Sequence, residues 1–123
     1  MTSKMKLAGI GIDLINPRRI RQLVRRASSK QLHRLLSPSE RKRFSKKKIS
    51  PQALTKIFTA KEAFFKTLNQ SWMGPEGFQT MSVRFKNRKA FEIFLDNTAA
   101  PIHAEGCFFN AGHLCGAQVI RWK

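Results

Sequence analysis

The segment Phe58–Lys66 constrains the fold most, because it places charged side chains within an otherwise apolar helix. Apolar residues recur around it at helical spacing and predict a broad buried band, formed by Leu54, Ile57, Phe58, Phe64, Phe65 and Leu68. Glu62 and Lys66, one turn apart, lie one above the other. Two interpretations remain open. In the first, Glu62 is a metal ligand or base, and Lys61 and Lys66 bind an anion. In the second, Glu62 and Lys66 form an ordinary solvated ion pair.

A second carboxylate, Asp13, stands in an apolar run near the start of the chain. The run Leu7–Ile15 is rich in isoleucine and leucine and contains Gly9 and Gly11, which predicts a buried strand. A carboxylate beside an apolar core is costly to desolvate unless it is paired or binds a cation. Asp13 is therefore a candidate ligand, although it could also simply lead the chain into the next helix.

The remaining pattern predicts helices in the first half of the chain and strands in the second. The predicted helices cover Arg18 to about Leu36, a short segment after the capping box Ser37-Pro38-Ser39-Glu40, and Ser50 to about Asn69. The predicted strands are Lys4–Ile15, Met81–Lys86, Ala90–Leu95, His103–Phe109 and Leu114–Trp122, with a turn-rich connection at Trp72–Gly77 and turns at Asn87-Arg88, Asp96-Asn97 and Ala111-Gly112. We therefore expect an α+β fold, with helices packed on an antiparallel sheet, in one domain over residues 1–123.

The composition indicates an acidic partner and a reducing compartment. The formal net charge is +17, from 24 Lys and Arg against 7 Asp and Glu. Such a charge attracts nucleic acid, an anionic membrane surface, a polyphosphorylated small molecule or an acidic protein, and does not choose among them. Two cysteines are too few for a disulfide framework. No signal peptide or membrane span is evident, so we expect a cytoplasmic protein.

Arginines dominate the start of the first predicted helix. Arg18, Arg19, Arg21, Arg25 and Arg26 lie mostly outside its apolar face. Positive charges in the first turns oppose the helix dipole, so helix stability does not explain them. Either binding to an acidic partner or a role as a solubilising face explains these arginines. The basic cluster Arg41–Lys48 similarly fits a nucleic-acid patch or a loop.

Two motifs together resemble the holo-acyl-carrier-protein synthase family, the small 4′-phosphopantetheinyl transferases. The first is Gly-Ile-Asp-Leu around Asp13, and the second is Phe-Thr-Ala-Lys-Glu-Ala-Phe-Phe-Lys over Phe58–Lys66. The larger, pseudo-dimeric transferases have another acidic ligand two residues after the Asp, where this chain has Ile15. The resemblance is therefore to the small type, and it implies a homotrimer that holds coenzyme A between subunits.

The resemblance also implies a mechanism. Asp13 and Glu62 would bind Mg²⁺ together with the pyrophosphate of coenzyme A, and a serine of an acidic carrier protein would attack the phosphorus, releasing 3′,5′-ADP. Glu62 or a metal-bound water would accept the serine proton, and Lys66 would stabilise the transferred phosphoryl group. The residues implied in coenzyme binding are Lys61, Lys66 and His113. The residues implied in docking the carrier protein are Arg18, Arg19 and Arg26.

Three departures from the family pattern affect positions associated with coenzyme binding. Ile57 stands where the family usually has arginine. The segment Asn110-Ala111-Gly112-His113 keeps a histidine but lacks the two hydroxyls of the family's Ser-x-Ser-His, so His113 is either a coenzyme contact or an ordinary strand residue. Asn87-Arg88-Lys89 replaces the usual Gly-x-Pro turn. An alternative is therefore a catalytically weakened, basic binding module for carrier protein or nucleic acid.

Overall fold

A computed structural model describes residues 4–44, 49–68, 75–95 and 103–123. The strands are β1 (Leu7–Ile15), β2 (Met81–Phe85), β3 (Ala90–Leu95), β4 (His103–Ala111) and β5 (Leu114–Trp122). The helices are α1 (Pro17–Arg26), α2 (Ser29–His33), α3 (Pro38–Arg43), α4 (Pro51–Phe65) and α5 (Pro75–Thr80). Helices packed on one antiparallel sheet confirm the predicted α+β class.

The five strands form one sheet in the order β1-β5-β4-β3-β2, with every neighbouring pair antiparallel. β1, the first strand of the chain, therefore lies at one edge of the sheet. It pairs with β5 so that Asp13 lies opposite Ala117 and Ile15 opposite Cys115. Because side chains alternate along a strand, Gly9, Gly11 and Asp13 share one face of β1.

Helix α4 is the central element of the core and packs on β1 and β5. Of the predicted apolar band, Leu54, Ile57, Phe64 and Phe65 are buried, whereas Phe58 and Leu68 are only partly buried. The polar side chains Thr55, Thr59 and Lys61 are also buried. A helix that is buried nearly all round needs partners on several sides, and α1 lies against α4 as well.

Two glycines let α4 approach β1 closely. A Cβ atom at Gly11 would collide with the carbonyl oxygen of Ala63, and one at Gly9 would collide with that of Thr67. A side chain at either position would therefore push the helix away from the strand. The close approach brings the C-terminal half of α4 onto the face of β1 that carries Asp13.

Capping residues explain where the helices begin. Ser37 and Glu40 form the predicted capping box at α3, and the Ser50 hydroxyl accepts a hydrogen bond from the Ala53 N–H at the start of α4. The predicted single helix from Arg18 to Leu36 is wrong, because α1 ends at Arg26. Ser28 forms a second capping box with Gln31 and starts α2 separately.

Other predicted boundaries differ by a few residues. β1 begins at Leu7 rather than Lys4, β4 extends to Ala111, and α4 ends at Phe65. The connection predicted over Trp72–Gly77 contains the start of α5, and its first residues lie outside the described part of the chain. So do the turn at Asp96-Asn97 and most of the basic cluster after Phe44. No helix in the described ranges is both long and apolar enough to cross a bilayer.

Candidate functional site

The two predicted ligands meet where α4 crosses β1. Asp13 comes from the strand face that contacts α4, and Glu62 comes from α4 itself, one residue before the Ala63 carbonyl that packs on Gly11. Burial raises the pKa of Glu62, the Asp13 charge raises it further, and the Lys66 charge opposes the rise. The two carboxylates, distant along the chain, are therefore close enough to repel each other.

Lys66 completes this centre. Its Nζ atom lies 3.0 Å from Asp13 Oδ1 and donates a hydrogen bond of 3.1 Å to the Ile12 carbonyl. The lysine side chain is 53% exposed, whereas that of Asp13 is 15% exposed. The acidic centre thus consists of two carboxylates and one accessible ammonium group. Its net charge is negative in a chain that is otherwise strongly basic.

The donor set fits a hard divalent cation that takes its other ligands from solvent and substrate. Mg²⁺ prefers carboxylate oxygens, and in phosphate-transfer sites it is held by one or two of them together with substrate phosphates and water. Asp13 and Glu62 provide that number. Among the described residues no group of three or more His, Cys, Asp or Glu side chains could form a self-sufficient metal site. A cation here would also relieve the repulsion between the two carboxylates.

Lys61 does not reach this centre, so its predicted role in binding the coenzyme is wrong. Its side chain is fully buried and forms an ion pair with the equally buried Glu40. Its ammonium group also donates hydrogen bonds to the Phe78 carbonyl at 2.7 Å and the Leu35 carbonyl at 2.9 Å. Glu40 in turn accepts from the N–H groups of Ser37 and Val83. Lys61 therefore holds α3, α5 and β2 against α4.

A cleft of about 850 Å³ runs along the N-terminal half of α4. Its walls include Arg21, Lys56, Asn87, Asn110 and Cys115. Lys56 was not among the predicted residues. Its Nζ atom lies 5.3 Å from the centre of the Phe108 ring and 3.3 Å from the Arg88 carbonyl. The cleft lies near the end of β1, because Cys115 is paired with Ile15, two residues beyond Asp13.

The residues that depart from the family pattern differ in their position relative to this cleft. Ile57 is fully buried in the core. Asn87 and Asn110 line the cleft, whereas His113 is an exposed residue next to Gly112, whose φ of 61° forms the β4–β5 turn. His113 is not among the residues that line the cleft. A coenzyme contact by His113 stays a prediction.

Comparison with known proteins identifies the family. Residues 9–117 match the 4′-phosphopantetheinyl transferase superfamily. A holo-[acyl-carrier-protein] synthase of Blochmanniella floridana is 33% identical over 94 residues, which are 76% of this chain and 67% of that protein. The chain belongs to the holo-acyl-carrier-protein synthase family. The predicted family of transferase enzymes is therefore confirmed.

Solved structures of the synthase family share the fold. The synthase from Neisseria meningitidis superposes with a TM-score of 0.76 at 22% identity, covering 96% of this chain and 100% of that one. A synthase from Bacillus anthracis, solved in complex with CoA (3′,5′-ADP), gives a TM-score of 0.69 at 25% identity, covering 98% and 99%. The predicted transferase fold is thereby confirmed.

Helix α1 presents the predicted arginines beside a groove. Arg18, Arg19 and Arg26 are exposed, while Ile20 anchors the helix in the core. A groove of about 500 Å³ runs between α1, α2 and α5. Its apolar surface comes from Leu23, Ala27, Leu35 and Phe78, and its charged surface from Arg26 and Arg34. The groove thus combines an apolar floor with a basic rim.

The outer face of β1 exposes a row of large apolar side chains. Ile10, Ile12 and Leu14 are 54%, 49% and 47% exposed, and they point away from α4. Soluble monomers rarely expose contiguous apolar patches, and such patches commonly mark protein interfaces. This row on the edge strand was not recognised as exposed in the sequence, where the whole run was expected to be buried.

Proposed function

We propose that the protein transfers the 4′-phosphopantetheine arm of coenzyme A to a serine of an acidic acyl or peptidyl carrier protein, in a Mg²⁺-dependent reaction that releases 3′,5′-ADP. The observation that carries the proposal is the meeting of Asp13, Glu62 and Lys66 at one point on the surface. Phosphoryl transfer is catalysed mainly by positioning and charge neutralisation, and this centre provides groups for both.

Each residue of the centre has a separate role in this proposal. Asp13 and Glu62 would hold Mg²⁺, which neutralises charge on the phosphate oxygens when it is bound. Glu62 would accept the proton of the attacking serine. Lys66 is accessible enough to contact the transferred phosphoryl group, where its ammonium stabilises developing negative charge.

Coenzyme A is proposed to bind along the cleft beside α4. The related synthase from Bacillus anthracis has been solved in complex with CoA. In this chain the cleft offers Arg21 and Lys56 as cations for phosphate groups, beside the polar Asn87 and Asn110. Lys56 precedes the buried Ile57 and supplies a positive charge close to where the family pattern has arginine. His113 remains a candidate contact with the coenzyme.

The carrier protein is proposed to dock at α1. An amphipathic acidic helix would place apolar side chains on Leu23, Leu35 and Phe78 and its carboxylates against the arginines of the rim, Arg26 among them. Arg18 and Arg19, exposed on the first turn of α1, extend the same basic surface towards Asp13. Charge complementarity of this kind steers encounter and raises association rates.

We further propose that the protein is a homotrimer and works in the cytoplasm. The exposed row Ile10, Ile12 and Leu14 supports self-association, because a neighbouring copy would remove this apolar surface from water. Both cysteines, Cys107 and Cys115, are free thiols, which suits a reducing compartment. Sedimentation of the wild type against Ile12→Glu tests the assembly, which we expect the charge to dissociate.

Intact-mass analysis of a carrier protein tests the proposed reaction. With coenzyme A and Mg²⁺ the wild type should add one phosphopantetheine to an apo-carrier. Asp13→Asn and Glu62→Gln should each lose this transfer, while Glu92→Gln, a matched carboxylate change at the Lys86 ion pair, should retain it. Transfer by Asp13→Asn at the wild-type rate would refute the assignment of the centre.

A basic binding module is the alternative function, and the charge of +17 favours it. It predicts tight binding to generic DNA that weakens steeply as salt increases, because bound counterions are released. It also predicts no coenzyme-dependent mass gain on any carrier protein. The two functions are therefore separated by measuring both properties on the same preparation.

A further inference from the structure

Lys66 bridges two oxygen atoms of β1. Its ammonium lies 3.0 Å from the Asp13 carboxylate and 3.1 Å from the Ile12 carbonyl. Carboxylate and carbonyl oxygens are also the ligand types of hard divalent cations. The Lys66 ammonium therefore binds the same oxygen atoms that could otherwise coordinate a metal ion at Asp13.

We infer that Lys66 is a built-in counter-ion that occupies Asp13 in the free protein and competes with the divalent cation for it. The inference rests on the metal site of the proposed function. The Lys66 side chain is 53% exposed and its ion pair is therefore weak, so a divalent cation can displace it. Lys66 then has two successive partners, Asp13 before metal binding and the phosphates of the substrate after it.

The charges of the centre support this exchange. Asp13, Glu62 and Lys66 together carry one net negative charge, since two carboxylates face one ammonium. A divalent cation in place of the ammonium neutralises both carboxylates, and the released ammonium is positive when anionic coenzyme arrives. Two cations at one carboxylate repel each other, so the metal and Lys66 cannot both bind Asp13 closely without cost. Metal binding and release of Lys66 are therefore linked.

Binding of Mn²⁺ without coenzyme tests the inference. Electron paramagnetic resonance measures the free ion in titrations of wild type, Lys66→Met and Lys66→Arg. Removing a competing and repelling positive charge should tighten Mn²⁺ binding by about fivefold to tenfold in Lys66→Met. Lys66→Arg keeps the charge and should bind within about twofold of the wild type. Lys66→Gln serves as a second neutral variant, and thermal melts verify that each variant is folded.

The outcomes separate this inference from the proposed function. Tighter binding in both neutral variants, abolished by adding Asp13→Asn, supports the competition. Unchanged or weaker binding in the neutral variants overturns it, while the metal site survives if Asp13→Asn alone still loses Mn²⁺. Failure of every protein to bind Mn²⁺ overturns the metal site and the inference together.

A second readout follows the lysine itself. Because metal binding releases Lys66 from Asp13, acetylation of Lys66 by acetic anhydride, followed by mass spectrometry, should accelerate when Mg²⁺ is added to the wild type. In Asp13→Asn the acetylation should be fast and independent of metal. A wild-type rate that ignores Mg²⁺ at concentrations that occupy the site would contradict the exchange.

Discussion

Two lysines on the same helix have opposite environments. Lys61 is fully buried and paired with Glu40, whereas Lys66 is half exposed and paired with Asp13. Both neighbour Glu62 along the sequence or on the helix surface, and both belong to one motif. The difference shows that two lysines of the same motif can have different roles. The buried lysine joins structural elements, and the exposed one is available to a ligand.

Removing the buried lysine should have the largest effect on stability. Lys61→Met leaves the Glu40 charge in the core without its partner, which costs about 3–5 kcal/mol of unfolding free energy. Urea denaturation measures this. Glu40→Gln in the Lys61→Met background removes the unpaired charge and keeps one of the two oxygens that accept from the Ser37 and Val83 N–H groups, so it should recover part of the loss. Stability within about 1 kcal/mol of wild type in Lys61→Met would mean that the pair is not a structural link.

Removing the exposed lysine should instead affect activity. Lys66→Met is expected to lower kcat/KM by about 10²–10³-fold, as loss of one charge-stabilising donor typically does. Its unfolding free energy should change by less than about 1 kcal/mol, because an exposed ion pair contributes little. Steady-state transfer assays and urea denaturation on the same sample compare the two quantities. A variant that loses stability and keeps activity would reverse the contrast between the lysines.

The close approach of α4 to β1 should be needed for the metal centre that contains Lys66, and not for the buried ion pair of Lys61. Gly11→Ala drives a methyl group into the Ala63 carbonyl and should cost about 1–3 kcal/mol while separating Asp13 from Glu62. Gly106→Ala is the matched control, because its methyl group would clash with the Gln118 carbonyl oxygen and the Phe91 ring at β4, which does not pair with β1. Both variants should be less stable, but only Gly11→Ala should weaken Mn²⁺ binding below its melting temperature.

The smallest expected effect concerns the pH dependence of stability. Burial, assisted by Asp13 and opposed by Lys66, raises the pKa of Glu62 above its ordinary value in the folded protein. The folded state then holds the proton more tightly than the unfolded chain, so this group's contribution to stability falls as pH rises through the window between the two pKa values. Glu62→Gln lacks that term and should gain stability relative to wild type over the same window. Denaturant titrations at several pH values measure the difference, and Glu105→Gln, at an exposed carboxylate, should not show the gain.

The sequence predicted much of this arrangement and missed specific parts of it. Asp13 and Glu62 were predicted as one centre through the family resemblance, and the capping signals at Ser37 and Ser50 located α3 and α4. The break after α1 was missed although Ser28 and Gln31 have capping-box spacing. Here a local cap outweighed the longer apolar period.

The role of Lys61 was harder to predict, because its partner is distant along the chain. Lys61 lies one turn after Ile57 and one turn before Phe64 and Phe65, so the helical period places it beside the buried band, although its charge predicted an anion-binding role. A buried lysine is expensive unless it is paired, and the sequence does not show that Glu40, already in a capping box, is folded against it. Only tertiary packing reveals that pair.

The most direct test of the account is whether Asp13 and Glu62 bind one divalent cation together. Mn²⁺ affinity in the presence of coenzyme A should be measured for wild type, Asp13→Asn, Glu62→Gln and the double variant. We expect each single change to weaken binding severely and the double variant to be little worse than either, because both carboxylates serve one ion. Independent, additive losses, or wild-type affinity in either single variant, would contradict a shared site.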